Sequence, residues 1–392
     1  MKVLLLGGTG LFGRQAAALL ARENLVAEIG IASRHLEVAQ GVAEDLGNKA
    51  CAVCVDIKDL IRLSSIAGGY HIIVNAAGPT SAVQVPAIQA AIEAGVHYCD
   101  LGMVGRTTEI ALQLDVQARS RGVTAIIGTG WFAITSLMAV HAVNQLDETE
   151  EVNVCMSFDI SAGSYYSPEQ SLARARELGH VDPSWEDPLE NARGPVLTFR
   201  AGYWIRVEPD ENPIEIVHPS GYRIIAYPVD STDSVTLPPS LPGVKTVSSL
   251  FSFIPPQLNE LYLRQGRRIA AGETDPAGAT LAFLEEAVAD KERRLTNPPG
   301  YPSGYMMWVV ATGRKNGRQV RYLCWPEFIL DWTNVPLVII ALRLLRGEVS
   351  MHGVLPPQAC FTLASFFEEA SWYVSGEHRG KPLLNERFEW LE

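Results

Sequence analysis

The chain is short of positive charge: 32 lysines and arginines stand against 44 aspartates and glutamates in 392 residues, a formal net charge of -12. A nucleic-acid partner needs a basic face to displace counterions from phosphates, and no such face is evident, so none is expected. Only seven lysines occur and none lies four residues after a tyrosine, which removes the Tyr-x-x-x-Lys proton relay as a mechanism. The eight histidines lack H-E-x-x-H or paired cysteine spacing, so no metal is expected. G-x-S-x-G is absent as well, which excludes the usual serine-hydrolase elbow. The six cysteines are scattered, as in the reduced thiols of a cytoplasmic protein, and Cys51-x-x-Cys54 falls on a strand and not at a helix start. Long apolar runs are missing too. The first is about five residues before it breaks into glycines, so no signal peptide is read. The run 335–345 is too short to span a bilayer and contains Arg343, so it reads as a buried or dimer-forming helix.

Glycine is present where a nucleotide needs it. Lys2-Val3-Leu4-Leu5-Leu6 reads as a buried strand, and Gly7-Gly8-Thr9-Gly10-Leu11-Phe12-Gly13-Arg14 follows it directly into a strong helix former. Gly8, Gly10 and Gly13 give G-x-G-x-x-G, which allows a tight turn, close approach to a diphosphate and close helix–strand packing. Six strand-length apolar runs, near 2–6, 28–33, 51–55, 71–75, 97–99 and 123–127, alternate with helical patterns. That alternation predicts an α/β fold, a doubly wound parallel sheet whose ligands lie at the carboxyl ends of its strands. The candidate cofactor residues are therefore Gly8, Thr9, Gly10, Leu11, Phe12 and Gly13, then Ser33, Arg34 and Asp56, then Asn75, Ala76, Ala77 and Gly78, and finally Gly130 and Trp131.

The end of the second strand selects the cofactor, because a carboxylate there holds a ribose 2′-hydroxyl and repels a 2′-phosphate. Here the residues are Ser33 and Arg34, a hydroxyl and a guanidinium suited to a phosphate, so NADP is preferred over NAD. Asp56, after the third strand, either meets the adenine edge or caps the next helix.

Gly7 to Arg14, Ala32-Ser33-Arg34, Val74-Asn75-Ala76-Ala77-Gly78-Pro79 and Gly95-Val96-His97-Tyr98-Cys99-Asp100-Leu101 together resemble the saccharopine dehydrogenase-like family of NAD(P)-dependent oxidoreductases. Residues 313–318 and 353–357 look like that family's C-terminal part. The resemblance implies an N-terminal Rossmann domain, an inserted α+β domain with substrate and dimer contacts, and a C-terminal segment returning to the nucleotide domain. It also implies hydride transfer at a C–N centre of a small metabolite. Two departures stand out. Gly102-Met103-Val104 replaces a Ser-Gly-Glu-like turn, and Gly130-Trp131-Phe132-Ala133-Ile134 replaces a Pro-Gly pair, so a more apolar substrate than saccharopine is expected. The same departures leave open reduction of an activated C=C bond, or an NADP-binding sensor without chemistry.

The expected boundaries are 1–150 for the nucleotide domain, with 351–392 returning to it, and 151–350 for a substrate-binding and dimerisation domain. In that second part 152–160 alternates as a strand, 168–179 reads as a helix, 182–195 as an acidic connector and 196–236 as short strands. Five prolines make 237–256 a loop or lid, and Asn316-Gly317 marks a hairpin. The proton-donor candidates are Tyr165, Tyr166, His141 and Asp100, and Arg200, Arg206 and Arg223 are candidates for holding an anionic substrate. The reading is of a cytoplasmic homodimer acting on a small molecule.

Overall fold

The computed structural model describes residues 1–160, 167–289, 297 and 299–391. Its elements run β1 (Lys2–Leu6), α1 (Leu11–Arg22), β2 (Glu28–Ser33), α2 (Leu36–Leu46), β3 (Ala50–Cys54), α3 (Leu60–Ala67), β4 (Ile72–Asn75), α4 (Thr80–Ala94), β5 (His97–Asp100), α5 (Gly105–Leu112), α6 (Asp115–Ser120), β6 (Thr124–Ile126) and α7 (Trp131–Val143). They continue as β7 (Glu148–Asp159), α8 (Pro168–Leu178), α9 (Pro183–Asn191), β8 (Val196–Arg200), β9 (Tyr203–Val207), β10 (Ile214–Val217), β11 (Arg223–Pro228), α10 (Thr232–Ser240), β12 (Thr246–Ile254), α11 (Leu258–Ala270) and α12 (Pro276–Ala289). The last are β13 (Met306–Lys315), β14 (Arg318–Pro326), α13 (Asn334–Leu345), β15 (Gly353–Leu355), α14 (Leu363–Ala370) and β16 (Leu384–Trp390).

Two compact units result: Met1–Leu137 with Glu327–Leu383, and Met138–Pro326 with Leu384–Glu392. The chain therefore leaves the first unit near 137 and not 150. It returns at 327 and not 351, and its last strand rejoins the second unit. The early return has a packing cause. All of α13 is buried, packed in the first unit on α1, β4 and β5. Arg343, the charge within that apolar run, is neutralised by Glu369 at 2.7 Å and stacks near Phe361 and Phe366. A helix apolar on every side needs burial on every side.

In the first unit the sheet order is β15-β6-β5-β4-β1-β2-β3, every pairing parallel. All six expected strands are there, in the doubly wound order, and β15 adds a seventh beside β6 among the described residues. Val3 to Leu6 are wholly buried, as a strand covered by helices on both faces requires.

In the second unit the order is β10-β11-β12-β7-β13-β14-β16, with β8 on β12 and β9 on β8. Asn316 (φ 52°) and Gly317 (φ 74°) make the β13–β14 hairpin turn, positive at both central positions as a two-residue loop demands. Residues 237–256 are not a lid. Pro238 and Pro239 sit in the last turns of α10, and the proline-free stretch 246–254 is β12, parallel to β7 along its whole length. The connector 182–195 likewise holds α9, started by the Asp182 side chain capping Ser184 N–H at 3.0 Å. Phe158, Phe251, Phe253, Trp185, Tyr262 and Phe283 form the core under the helices on one face of this sheet.

Candidate functional site

The turn after β1 is built from backbone contacts that no side chain tolerates. Gly7 has φ +72°, and a Cβ on it would lie 2.6 Å from the Ala77 backbone, so β1 and β4 end against each other. A Cβ on Gly13 would overlap the Gly7 carbonyl oxygen, and this is why α1 starts so close to the strand it follows. Gly10 N–H donates to Gly7 O at 2.9 Å, Arg14 Nε donates to Thr9 O at 3.0 Å, and no side chain caps the start of α1. The result is an exposed helix N-terminus behind a close-packed glycine turn, which suits a diphosphate. This cradle, too tight for a Cβ, fits a dinucleotide. Gly8, Thr9, Gly10, Leu11, Phe12 and Gly13 are all part of it.

At the end of β2 the Ser33 hydroxyl accepts from His35 N–H at 3.1 Å, which leaves its own hydrogen free to donate. Arg34 is exposed and has no carboxylate partner among the described residues. Asp56 is exposed and folds its carboxylate onto Lys58 N–H at 2.9 Å, while the cap of α3 is Asp59, on Arg62 N–H at 3.1 Å. The helix-capping alternative for Asp56 thus passes to a residue three positions on.

At the end of β4, Asn75 is buried. Its Oδ1 accepts from Ala77 N–H at 3.0 Å and its Nδ2 donates to the Tyr98 hydroxyl at 3.0 Å, which fixes the Ala76-Ala77-Gly78 turn. Tyr98 passes the chain to Asp100. The Asp100 carboxylate, 1% exposed, accepts from Tyr98 OH at 2.9 Å, Gln84 Nε2 at 2.7 Å, Gly102 N–H at 2.9 Å and Gly128 N–H at 2.8 Å. Burial pushes its pKa above the ordinary value, against the pull of those four donors. Both oxygens are full, so Asp100 braces the β5 and β6 loops, and no lone pair is left for substrate. Gln84 and Tyr98 escaped the sequence reading. Tyr98 and Asp100 share one strand face by period two, which was the available signal.

Beyond β6, Trp131 Nε1 donates to Thr333 Oγ1 at 2.6 Å, and a Cβ on Gly130 would lie 3.0 Å from Leu101 and 3.5 Å from Thr333 O. Next to it Asn334, fully buried, donates to Gln15 Oε1 on α1 at 2.7 Å. The returning segment therefore ties the start of α7 to α1, a closure across 319 residues of sequence that no local pattern encodes.

His141 belongs to the second unit, where its Nε2 meets Glu386 Oε1 at 2.8 Å and Tyr322 OH at 3.1 Å. Burial raises Glu386, but hydrogen bonds from Tyr322 and His141 outweigh it and hold the carboxylate below its usual range. Tyr165 and Tyr166 fall outside the described residues. Arg223 pairs with Glu215 at 2.6 Å and Arg200 with Asn212 at 3.2 Å, and Arg206 is also engaged.

Residues 3–126 match the family model of the saccharopine dehydrogenase NADP-binding domain. This stretch, about a third of the chain, is similar to that family's nucleotide-binding domain. Over its whole length the fold is similar to apo saccharopine dehydrogenase (L-Glu forming) of Saccharomyces cerevisiae, with a TM-score of 0.62 at 14% identity and 99% of each chain covered. The trans-acting enoyl reductase of Mycobacterium tuberculosis is 28% identical over 145 residues, 36% of this chain and 34% of that protein. A putative trans-acting enoyl reductase of the same organism is 27% identical over 147 residues. The chain thus matches about a third of the length of these curated relatives. Residues 3–126 are thus similar to an NADP-binding domain, the fold of the whole chain is similar to that of a saccharopine dehydrogenase, and among the described residues no helix is long and apolar enough to cross a membrane.

Proposed function

We propose that the chain is an NADPH-dependent reductase of an activated C=C bond in an apolar substrate. The observation that carries this reading is the character of the residues that follow β5 and β6: Leu101, Gly102, Met103, Gly130 and Trp131 carry no charge, and the one carboxylate on that stretch, Asp100, is buried and full. The matched mycobacterial proteins named as enoyl reductases support the same choice of acceptor. NADPH, when bound, supplies the hydride from its nicotinamide ring. The residues of the chain hold it: the glycine turn and the start of α1 take the diphosphate, Ser33 and Arg34 the 2′-phosphate, Asn75 to Gly78 the middle, and Gly130 and Trp131 the nicotinamide end.

A second reading, hydride transfer at a C–N centre, is favoured by the likeness of the whole chain to a saccharopine dehydrogenase fold. The proton in either case comes from His141, Tyr165 or Tyr166, or from water. We place the protein in the cytoplasm, in keeping with six free thiols, and as a homodimer. The deciding experiment incubates the protein with 4-deuterated NADPH and a panel of enoyl thioesters, enones and imines. Deuterium on a β-carbon supports the first reading, and deuterium on a carbon bearing nitrogen replaces it with the second. NADPH binding without turnover on any of them leaves a sensor.

A further inference from the structure

We propose that the outer edge of β16 pairs antiparallel with β16 of a second copy of this chain, about a two-fold axis at Phe388. This assigns a surface to the homodimer of the preceding reading and rests on that part of it. Among the described residues β16 pairs as a strand only with β14 and ends the sheet. Leu391 N–H donates to Gln319 O at 3.0 Å, which sets the alternation: odd residues turn their backbone groups inward, and Glu386, Phe388 and Trp390 turn theirs to the open side.

Edges are ordinarily blunted by charged side chains, lysine above all, by proline or by bulges. This one reads Glu386-Arg387-Phe388-Glu389-Trp390, with charges of alternating sign and large rings, Phe388 38% and Trp390 43% exposed. The register of a two-fold pair follows from those side chains. An axis at Glu386, Arg387 or Glu389 sets that charge against its own copy. An axis at Phe388 sets Arg387 opposite Glu389 on both sides, at the closer, non-hydrogen-bonded positions, about 4.5 Å between Cα atoms. The outward residues then exchange backbone bonds, Phe388 with Phe388 and Glu386 with Trp390. Arg318, 4.7 Å over the Trp390 ring, meets the incoming Glu386. The edge is also preformed: Glu386 is held by His141 and Tyr322, and the Phe388 and Trp390 rings stack 6.5 Å apart at 20°.

Sedimentation velocity on the full chain, with NADPH titrated into the same samples, tests this. The native protein is expected as a dimer. Arg387→Glu alone and Glu389→Arg alone are each expected to weaken it at least tenfold, by setting like charges opposite each other. Mixing the two variants restores the dimer, because each Arg387–Glu389 position then meets its opposite charge across the pair. Phe388→Pro, which deletes an outward N–H that β14 does not use, gives monomer. NADPH affinity stays unchanged throughout, so a loss there marks misfolding or a failed cofactor reading and not a failed interface. A monomeric native protein, a dimer indifferent to these changes, or a mixture that stays monomeric overturns the proposal.

Discussion

Replacing Arg34 with alanine removes a guanidinium from the end of β2 and leaves the glycine turn untouched. Arg34 is exposed and has no carboxylate partner among the described residues, so the deletion strands no buried charge and the fold is unaffected. A charge-assisted hydrogen bond to a phosphate is worth about 1.5–3 kcal/mol, and exposure to solvent places this one in the lower half of that range. At about 1.4 kcal/mol per decade, NADPH affinity falls roughly ten- to thirtyfold. NADH has no 2′-phosphate, so its affinity moves less than about twofold, and the native preference between the two collapses. Isothermal titration of both cofactors into both proteins reads this directly. The native difference must also shrink with salt, because the pair is screened over a Debye length of roughly 8 Å at physiological ionic strength. Tighter binding of NADH than NADPH by the native chain, unmoved by Arg34→Ala, would refute the assignment of the 2′-phosphate to this strand end.

Gly13→Ala drives a Cβ onto the Gly7 carbonyl; at least a tenfold loss of NADPH affinity is expected by titration, with Leu19→Ala, away from the turn, as a fold control. Asp100→Asn puts an amide among four donors and should cost about 3 kcal/mol, lowering the Tm of the first unit by roughly 6–12 °C in calorimetry. Glu186 is raised to about 7 by burial and by Asp187, so its protonated form is the one the fold prefers. Its contribution is complete below the unfolded value near 4.5 and is lost as pH rises to about 7. Glu186→Gln should flatten that decline in urea denaturation, by about 1–2 kcal/mol after allowance for its partial exposure.

The first unit was legible because its information is local. Buried parallel strands are continuous apolar runs, and Gly7 and Gly13 stand where backbone meets backbone. The second unit was legible wherever a turn has its own chemistry, as at Asn316-Gly317. It was misread at 237–256, where proline density outweighed the strand-like Thr246–Ile254 that β7 recruits over nine residues. The position of α13 was out of reach for a different reason. An all-round apolar helix states that it is buried but not by what, and Asn334 reaching Gln15 is a fact of tertiary closure. The same holds for Asp100. Its residue type advertised acid–base chemistry, and only the convergence of Gln84, Tyr98, Gly102 and Gly128 showed the carboxylate already spent.

That expenditure bears on the acceptor. Hydride transfer draws about 7–11 kcal/mol from orientation and exclusion of water, and a fixed acid adds to it only when proton and hydride must move together. An iminium acceptor carries positive charge into the pocket and is helped by a carboxylate with a free oxygen. Asp100 has none, and Leu101, Met103 and Trp131 offer no anion in its place. A conjugated C=C bond makes a smaller demand: hydride enters at the β-carbon, the electron pair is held by the carbonyl, and the α-carbon takes its proton afterwards from water or a donor beyond this stretch. An uncharged stretch braced by a saturated carboxylate therefore suits the second kind of acceptor better than the first. The deuterium position in the product decides between them on this physical ground.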